Sequence, residues 1–242
     1  MPKMRIDKLI SKESGESRND CKKKIRKNGV LINDEVIKDP GKIIDTDSDA
    51  IIFDNKEIHH KEFLYLMLNK PAGLVSAVTD ERDPTVIAYV SERFPRKNLF
   101  PAGRLDKDTE GLLLLTDDGQ LAHNLLNPKK HVDKIYYLEI SGKLNKEKIA
   151  LIQEGIMLDD GYQTKPAKLE IVGETPLKSE LLMTISEGKF HQVKRMIKAA
   201  GQEVQYLKRI QIGSLRLDPE LAIGDYRELT SEELILLKGE SL

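Results

Sequence analysis

The 242-residue chain has few of the residues that mark disulfide-rich or zinc-binding proteins. It contains one cysteine, Cys21, and no tryptophan, and aromatic residues make up 5% of the sequence. One cysteine cannot form an internal disulfide, and none of the five histidines is spaced with it as zinc ligands are. We therefore expect a protein of the reducing cytoplasm without a metal site, and the adjacent pair His59 and His60 does not have metal-ligand spacing.

Long hydrophobic runs and nucleotide-binding motifs are also missing. Apolar runs such as Leu112–Leu115 are far shorter than the roughly 20 residues that span a bilayer, and the opening residues do not resemble a signal peptide. We expect neither secretion nor a membrane partner. No Gly-x-Gly-x-x-Gly or phosphate-loop pattern occurs, so the sequence predicts no nucleotide cofactor. With 39% hydrophobic and 33% charged residues, the composition is that of a globular chain with one or two cores.

Charge is unevenly distributed along the chain, although its net value is −1. Residues 1–30 carry ten basic and four acidic side chains, whereas residues 31–58 carry three basic and eight acidic ones. A separated basic face is typical of a nucleic-acid-binding module. A solvated helix with charged flanks gives the same pattern, so charge alone leaves both interpretations open.

Capping residues and short apolar runs predict a small first domain over residues 1–58. A helix over residues 5–11 is followed by a second helix, which Ser17 caps and Gly29 ends. Three short strands come next, and the polar segment 54–62 is predicted as a linker because it has no apolar period.

Residues 59–242 alternate between predicted strands and helices. Six apolar runs predict strands, over residues 63–68, 112–116, 135–141, 167–172, 180–185 and 204–212. Helices are predicted over residues 119–126, 145–154 and 190–200, and after Thr230, whose capping-box partner is Glu233. Because the strands arrive in neighbouring pairs, we predict an α+β fold with a mainly antiparallel sheet and flanking helices.

The segment Gly103–Thr116 is the densest in chemistry-bearing residues. Asp106 and Asp108 lie in a charged turn that leads into a hydrophobic strand. From the pattern alone, both could be turn aspartates that accept hydrogen bonds from nearby backbone N–H groups. A glycosidase pair is disfavoured because the chain has no tryptophan, and a metal phosphoesterase is disfavoured because no histidine lies beside these aspartates.

Motifs along nearly the whole chain resemble, in order, those of the RsuA family of bacterial pseudouridine synthases. These enzymes isomerise a uridine in 16S ribosomal RNA. The first of the motifs resembles the opening of a ribosomal-protein-S4-like RNA-binding domain. The matching segments are Met4–Leu9, Met67–Gly73, Asp83–Val86, Gly103–Thr116, Asp117–Gln120, Lys134–Tyr136, Thr164–Ala167 and Ile185–Met196.

The resemblance implies three catalytic residues and no cofactor. Asp106, the aspartate of Gly-Arg-Leu-Asp, would be the nucleophile, and Lys194 would be its basic partner. Tyr136 would stack on the extruded uracil, and its hydroxyl is a candidate for moving the C5 proton. Spacing does not distinguish Tyr136 from Tyr137, which alternate across a predicted strand; only the motif selects Tyr136. His191 receives no role.

The resemblance also implies RNA contacts in both domains. From Glu187 to Arg216 there are seven basic and two acidic residues, which we expect to face RNA. The implied partner is 16S ribosomal RNA or an assembling small ribosomal subunit. The implied target is a uridine of the position-516 type, and the enzyme is expected to be a monomer. A synthase acting on 23S ribosomal RNA and a non-catalytic RNA-binding protein stay open as alternatives. The predicted RNA-binding residues are Arg104, Arg195, Lys189, Arg5, Lys8, Arg18, Lys22, Lys23 and Arg26.

Overall fold

The computed structural model describes residues 3–58, 60–94 and 98–239. The chain divides into two compact units, residues 1–64 with 89–99, and residues 65–88 with 100–242. The predicted domain boundary at residue 58 stays a prediction. The helices are α1 (Ile6–Ser14), α2 (Arg18–Asn28), α3 (Val86–Val90), α4 (Gly119–Leu126), α5 (Lys146–Glu154), α6 (Gln192–Ala199) and α7 (Ser231–Lys238), with a 3-10 turn at Pro128–Lys130.

The first unit packs α1 and α2 against short strands. Ser17 caps α2 by accepting a 3.2 Å hydrogen bond from the Asp20 amide, and Gly29 ends the helix with a positive φ of 83°, both as predicted. Ile6 and Ile25 are fully buried in the common core. The strands of this unit are β1 (Lys3–Arg5), β2 (Val30–Ile32), β3 (Glu35–Ile37), β4 (Ile43–Asp45), β5 (Ile51–Phe53) and β6 (Lys56–Glu57).

The predicted linker is wrong at its beginning. Strand β6 pairs antiparallel with β5, in the register Ile52 to Glu57 and Phe53 to Lys56. Asp54 and Asn55 form the turn between them, and both have the positive φ angles that tight hairpins require. A polar two-residue strand at a sheet edge has no apolar period, so the sequence pattern could not reveal it.

The second unit is built on a large mixed sheet. Its strands are β7 (Tyr65–Lys70), β8 (Phe100–Pro101), β9 (Glu110–Thr116), β10 (Lys134–Ser141), β11 (Lys168–Glu174), β12 (Lys178–Ile185), β13 (Val204–Ile212), β14 (Leu215–Arg216) and β15 (Tyr226–Glu228). The order is β11-β12-β10-β13-β9-β7-β15, with β14 paired to β13 and β8 to β9. The pairs are antiparallel except β13 with β9, so the predicted α+β, mainly antiparallel fold is confirmed.

Local capping signals set most helix ends in this unit. Asn145 caps α5 and Gly155 ends it, and Thr230 with Glu233 forms the predicted capping box of α7. Helix α6 is shorter than predicted, because His191 has a left-handed backbone (φ 48°, ψ 33°) and the helix begins at Gln192. Residues 190 and 191 therefore belong to a turn.

The core of the second unit lies beneath the central strands. Strand β7 is buried along its whole length, as β9 is after its first residue. Leu112 and Leu114 of β9 belong to the same buried cluster as Leu121 and Leu125 of α4. At roughly 25 cal/mol per Å² of buried apolar surface, this packing stabilises the strand that follows Asp106. In the part of the chain that the structure describes, no helix has the length and apolar character needed to cross a membrane.

Candidate active site

The structure brings Asp106 and Lys194 together from distant parts of the chain. Lys194 Nζ lies 3.2 Å from Asp106 Oδ2 and 2.6 Å from Asp108 Oδ1. The Asp106 side chain is 27% exposed, so one carboxylate is both paired and reachable from solvent. The hydrogen bond from Lys194 lowers the pKa of Asp108. A single ammonium therefore bridges the two aspartates of the Gly103–Thr116 segment.

The loop that carries Asp106 is held by buried donors. Lys70, at the end of β7, is fully buried and donates to the carbonyls of Pro71 (3.0 Å), Lys107 (3.2 Å) and Thr109 (2.9 Å). Burial lowers the pKa of Lys70 to about 8. Ser76 accepts from the Leu105 amide and donates to the Leu105 carbonyl. The loop backbone is thus fixed on both sides of Asp106.

Tyr136 lies on β10 at the same level of the sheet as this loop. Tyr136 pairs in register with Arg209 on β13, and Arg209 pairs with Gly111 on β9. Gly111 also pairs with Lys70 on β7, on the other side of β9. The Cα atoms of Tyr136 and Gly111 are therefore two strand spacings, about 10 Å, apart. Tyr136 is buried, and it shares the inner face of β10 with Leu138 and Ile140.

Tyr137 lies on the opposite face of β10. Its hydroxyl donates to Glu139 at 3.1 Å, and its ring makes an edge contact with Tyr206 at 6.1 Å. Burial, together with hydrogen bonds to Glu180 and Glu139, raises the pKa of Tyr137 above its ordinary range. The two neighbouring tyrosines therefore have different environments, a distinction that spacing alone could not assign.

Arg209 does not belong to the RNA-facing set in which the sequence placed it. Its side chain is 2% exposed, and its Nε donates to the Leu112 carbonyl at 2.9 Å. Its Nη2 has no hydrogen-bond partner within the described part of the chain. Alternation along β13 turns it to the buried face, beside Leu207 and opposite Tyr136.

His191 is a site residue that the sequence reasoning missed. Its Nε2 lies 3.4 Å from Asp106 Oδ1, and Lys194 Nζ lies 3.2 Å from Asp106 Oδ2. This position is distinguished by its left-handed backbone conformation, and no sequence pattern predicts that conformation. The two carboxylate oxygens of Asp106 therefore face two different nitrogen groups of the same turn and helix.

Hydrogen bonds anchor the turn before α6 to the loop between α5 and β11. Glu187 is buried and accepts hydrogen bonds from the Tyr162 hydroxyl (2.8 Å), the Lys165 amide (3.0 Å) and the Gln192 amide group. Arg195, predicted to bind RNA, forms ion pairs with the carboxylates of Asp159 and Asp160. Its charge is thus balanced within the chain, and its RNA contact stays a prediction.

The other predicted residues of this unit are on the surface. Arg104 is exposed two residues before Asp106, and Lys189 is exposed with its Nζ 4.5 Å from the centre of the Tyr162 ring. Over residues 3–58, 60–94 and 98–239, no group of three or more His, Cys, Asp or Glu side chains is arranged to hold a metal ion. His59 lies outside these ranges.

A basic cluster of the first unit is organised by Asp7, an acid that the sequence reasoning did not single out. The Asp7 carboxylate is fully buried and accepts from Arg5 (3.0 and 3.2 Å) and Arg18 (2.9 Å), and Lys22 Nζ lies 3.9 Å away. Burial would raise the pKa of Asp7, but the bonds from both arginines outweigh it and hold the pKa at about 2. Both arginine side chains are still 45% exposed.

The remaining predicted RNA-binding residues of the first unit extend this surface. Lys8 on α1 and Lys23 and Arg26 on α2 are exposed. Lys23 forms an exposed ion pair with Asp20, at 3.6 Å. Such pairs contribute about 0 to 1 kcal/mol, so these cations are available to bind an external anion.

Comparison with known proteins connects this geometry to a family. A model described as RNA pseudouridylate synthase matches residues 64–199, and one described as S4 domain matches residues 4–51. An uncharacterized RNA pseudouridine synthase of Bacillus subtilis is 47% identical, covering 97% of this chain and 98% of its own. Ribosomal small subunit pseudouridine synthase A of Haemophilus influenzae is 41% identical, covering 96% and 98%.

Solved structures agree with the sequence matches. A crystal structure of a pseudouridylate synthase has a TM-score of 0.67 and 39% identity, covering 97% of this chain and 99% of that one. The resemblance seen in the sequence motifs is therefore confirmed. The chain belongs to the RNA pseudouridylate synthase family and carries an S4 domain ahead of the synthase domain.

Proposed function

We propose that this protein isomerises one uridine of 16S ribosomal RNA to pseudouridine, at the position-516 type of site, in the cytoplasm. The observation that carries the proposal is the partly exposed Asp106 carboxylate with Lys194 Nζ at 3.2 Å. The choice of substrate is supported by relatives from Haemophilus influenzae and Escherichia coli, 41% and 38% identical, that are named as ribosomal small subunit pseudouridine synthases. The domain assignment is residues 1–58 for RNA docking and 59–242 for catalysis.

The reaction is an isomerisation, so its atoms balance without a co-reactant. The C1′–N1 glycosidic bond breaks, the uracil turns, and a bond forms from C5 to C1′. The C5 proton is lost and N1 gains a proton. In this mechanism the Asp106 carboxylate forms a covalent adduct with the sugar or the base and holds that reactive fragment in place. The bond to Asp106 breaks again by the end of the reaction, so the free carboxylate is regenerated. Lys194 stabilises the negative charge of the carboxylate before the attack and after release.

The target uridine has to leave the RNA stack to reach Asp106. Unstacking costs a few kcal/mol, and stacking on an aromatic side chain contributes about 1 to 3 kcal/mol per base. Tyr136 serves as that aromatic partner in the proposal, because it lies at the level of the Asp106 loop, two strands away. Its hydroxyl is the candidate group for moving the C5 proton.

The first unit, called the S4 unit below because residues 4–51 match the S4 domain, docks the RNA in this proposal. Arg5, Arg18 and Lys22 surround the buried Asp7 carboxylate, so their positions are fixed while Arg5 and Arg18 remain partly exposed. Helix α2 also carries three consecutive lysines, Lys22 to Lys24, and lysine binds phosphates more than it reads base edges. The S4 unit is therefore expected to recognise the shape of folded ribosomal RNA, or of a partly assembled particle, and to leave base selection to the synthase domain.

The test is pseudouridine mapping of 16S and 23S ribosomal RNA from cells that lack the protein. Complementation with the wild-type chain is expected to restore one site in 16S RNA. Asp106→Asn is expected to restore none while the protein stays folded. Asp108→Asn is the matched variant, because it removes the other carboxylate bound to Lys194, and it is expected to retain activity within about tenfold.

Each alternative has its own outcome. A restored site in 23S RNA would replace the proposed substrate but keep the chemistry. RNA binding without any changed uridine would identify a non-catalytic protein. Retained activity in Asp106→Asn would overturn the assignment of the nucleophile.

A further inference from the structure

Phe190 and His191 form a stacked aromatic pair on the surface of the second unit. Their ring centroids are 3.8 Å apart and their planes differ by 15°. Phe190 is nevertheless 73% exposed, which is unusual for a large apolar side chain. Because the His191 ring covers one face of the phenyl ring, that exposure belongs mainly to its other face.

The pair borders the candidate active site. His191 Nε2 lies 3.4 Å from Asp106 Oδ1, and Lys194 on the following helix lies 3.2 Å from Asp106 Oδ2. Lys189, next to Phe190 in the chain, is exposed. An open aromatic face is therefore flanked by cations within a few residues of the candidate nucleophile.

Hydrogen bonds hold this turn in place. Gln192 is buried; its Oε1 accepts from the Lys189 amide at 2.9 Å, and its Nε2 donates to Glu187. Arg195 Nη1 donates to the Phe190 carbonyl at 3.4 Å. His191 has a left-handed backbone, with φ 48°, and its ring stacks on that of Phe190. The aromatic pair is thus preorganised, which lowers the entropy lost when a ligand stacks on it.

We propose that the open face of Phe190 binds an unpaired RNA base, so that the base, Phe190 and His191 form one continuous stack beside Asp106. This inference rests on the proposed function and adds a second stacking position to it. Since Tyr136 is assigned to the extruded uridine, the base on Phe190 is a neighbour of that uridine in the strand. A phenyl ring has no hydrogen-bonding group, so it selects for an unstacked base and is indifferent to base identity.

The test measures binding of the full-length enzyme to an in vitro 16S ribosomal RNA transcript, with variants at position 190. Phe190→Leu keeps an apolar side chain but removes the aromatic face, and it is expected to raise the Kd at least about fivefold. Phe190→Trp is expected to stay within about twofold of the wild type. Leu177→Ala is the control, because Leu177 is an exposed apolar residue (85%) in the turn before β12, and it is expected to leave the Kd unchanged.

The salt dependence separates stacking from charge. Phe190→Leu is expected to leave the slope of log Kd against log salt unchanged, whereas Lys189→Ala is expected to reduce it by about one. Wild-type affinity in Phe190→Leu, or a weakened Phe190→Trp, would overturn the inference. If the wild-type enzyme forms pseudouridine and Phe190→Leu binds normally, only this inference fails. If the wild type modifies neither the transcript nor the small subunit, the proposed function fails first.

Discussion

Lys70 donates a 2.9 Å hydrogen bond to the carbonyl of Thr109, from an ammonium group that is fully buried. Lys107 and Pro71 supply the other two acceptors, so three backbone carbonyls satisfy the three N–H donors. Hydrogen bonds to a charged group contribute about 1.5 to 3 kcal/mol each, and an unpaired buried carbonyl is costly. The site therefore depends on a lysine whose ammonium group donates to three backbone carbonyls.

Replacing that lysine should destabilise the protein and disable the loop. We expect Lys70→Met to lower the free energy of unfolding by about 2 to 3 kcal/mol at pH 7. Urea denaturation measures this, with Lys146→Met, an exposed lysine of α5, as the control that changes little. Activity should fall further than the loss of folded protein explains, because the Asp106 loop loses its support. A fully active, equally stable Lys70→Met would contradict this.

The same lysine makes stability depend on pH. Its pKa in the folded protein, about 8, is below the ordinary 10.5, so between these values the unfolded chain binds the proton more fully than the folded chain does. Its contribution to the free energy of unfolding therefore rises as the pH increases from about 8 to 10.5. Comparing wild type with Lys70→Met at pH 7.5 and 9.5 isolates this contribution. Parallel pH profiles in the two proteins would contradict it.

Asp7 predicts a dependence of the same sign, but in acid. Its pKa in the folded protein is about 2, against an ordinary 3.8, so its stabilising effect is present above pH 4 and is lost as the pH falls towards 2. Because Arg5 and Arg18 are 45% exposed, solvent screening limits the effect to about 1 to 2 kcal/mol. Asp7→Asn should lower the free energy of unfolding by this amount at pH 5 and by little at pH 2.5, as measured by urea denaturation. Asp47 is exposed in the same unit, and Asp47→Asn should leave the free energy of unfolding unchanged at both pH values.

Lys194 should affect the reaction more than RNA binding. Lys194→Met leaves Asp106 and Asp108 without their shared cation, and we expect kcat to fall about 100-fold or more while the Kd for RNA changes only a few-fold. Lys194→Arg should recover part of the loss, since it keeps the charge. Single-turnover assays separate the two effects. A loss confined to KM would identify Lys194 as a phosphate contact instead.

We expect any side chain at position 111 to destabilise the protein, and Gly73 provides a matched control for the effect of the φ angle alone. Its φ is 98°, and a Cβ there would lie 2.2 Å from the Arg209 carbonyl oxygen. Gly73 has a similar φ of 93°, but a Cβ at that position would meet nothing within 4 Å. Gly73→Ala should therefore cost about 1 to 2 kcal/mol, and Gly111→Ala should cost more than about 3 kcal/mol or prevent folding, as measured by urea denaturation. Equal costs would show that β9 and β13 are not in close contact.

Local signals in the sequence predicted most of the secondary structure. The caps at Ser17, Asn145 and Thr230 each depend on side chains within three residues of the helix start, so spacing alone finds them. Two-residue strands such as β6 and β8 contain no period and were missed. The shortened start of α6 depends on the φ angle of His191, which no residue pattern specifies.

Non-local features could not be predicted from the residues alone. The parallel pairing of β9 with β13 joins segments about a hundred residues apart, and strands that arrive in neighbouring pairs indicate only antiparallel contacts. Lys70 and Arg209 carry charges that normally stay in water, so their burial runs against the rule by which cores are predicted. The approach of Lys194 to Asp106 followed only from the family resemblance, and the structure supplies its distance.

The position of β13 also bears on when the site can form during synthesis. The family match ends at residue 199, yet β13, over Val204–Ile212, lies between β9 and β10 and connects the two strands nearest to Asp106 and Tyr136. A fragment cut at the end of that match would retain all three candidate catalytic residues and lack the strand between them. The nascent chain must therefore extend past β13 before the sheet can close, so an active enzyme emerges only late in translation.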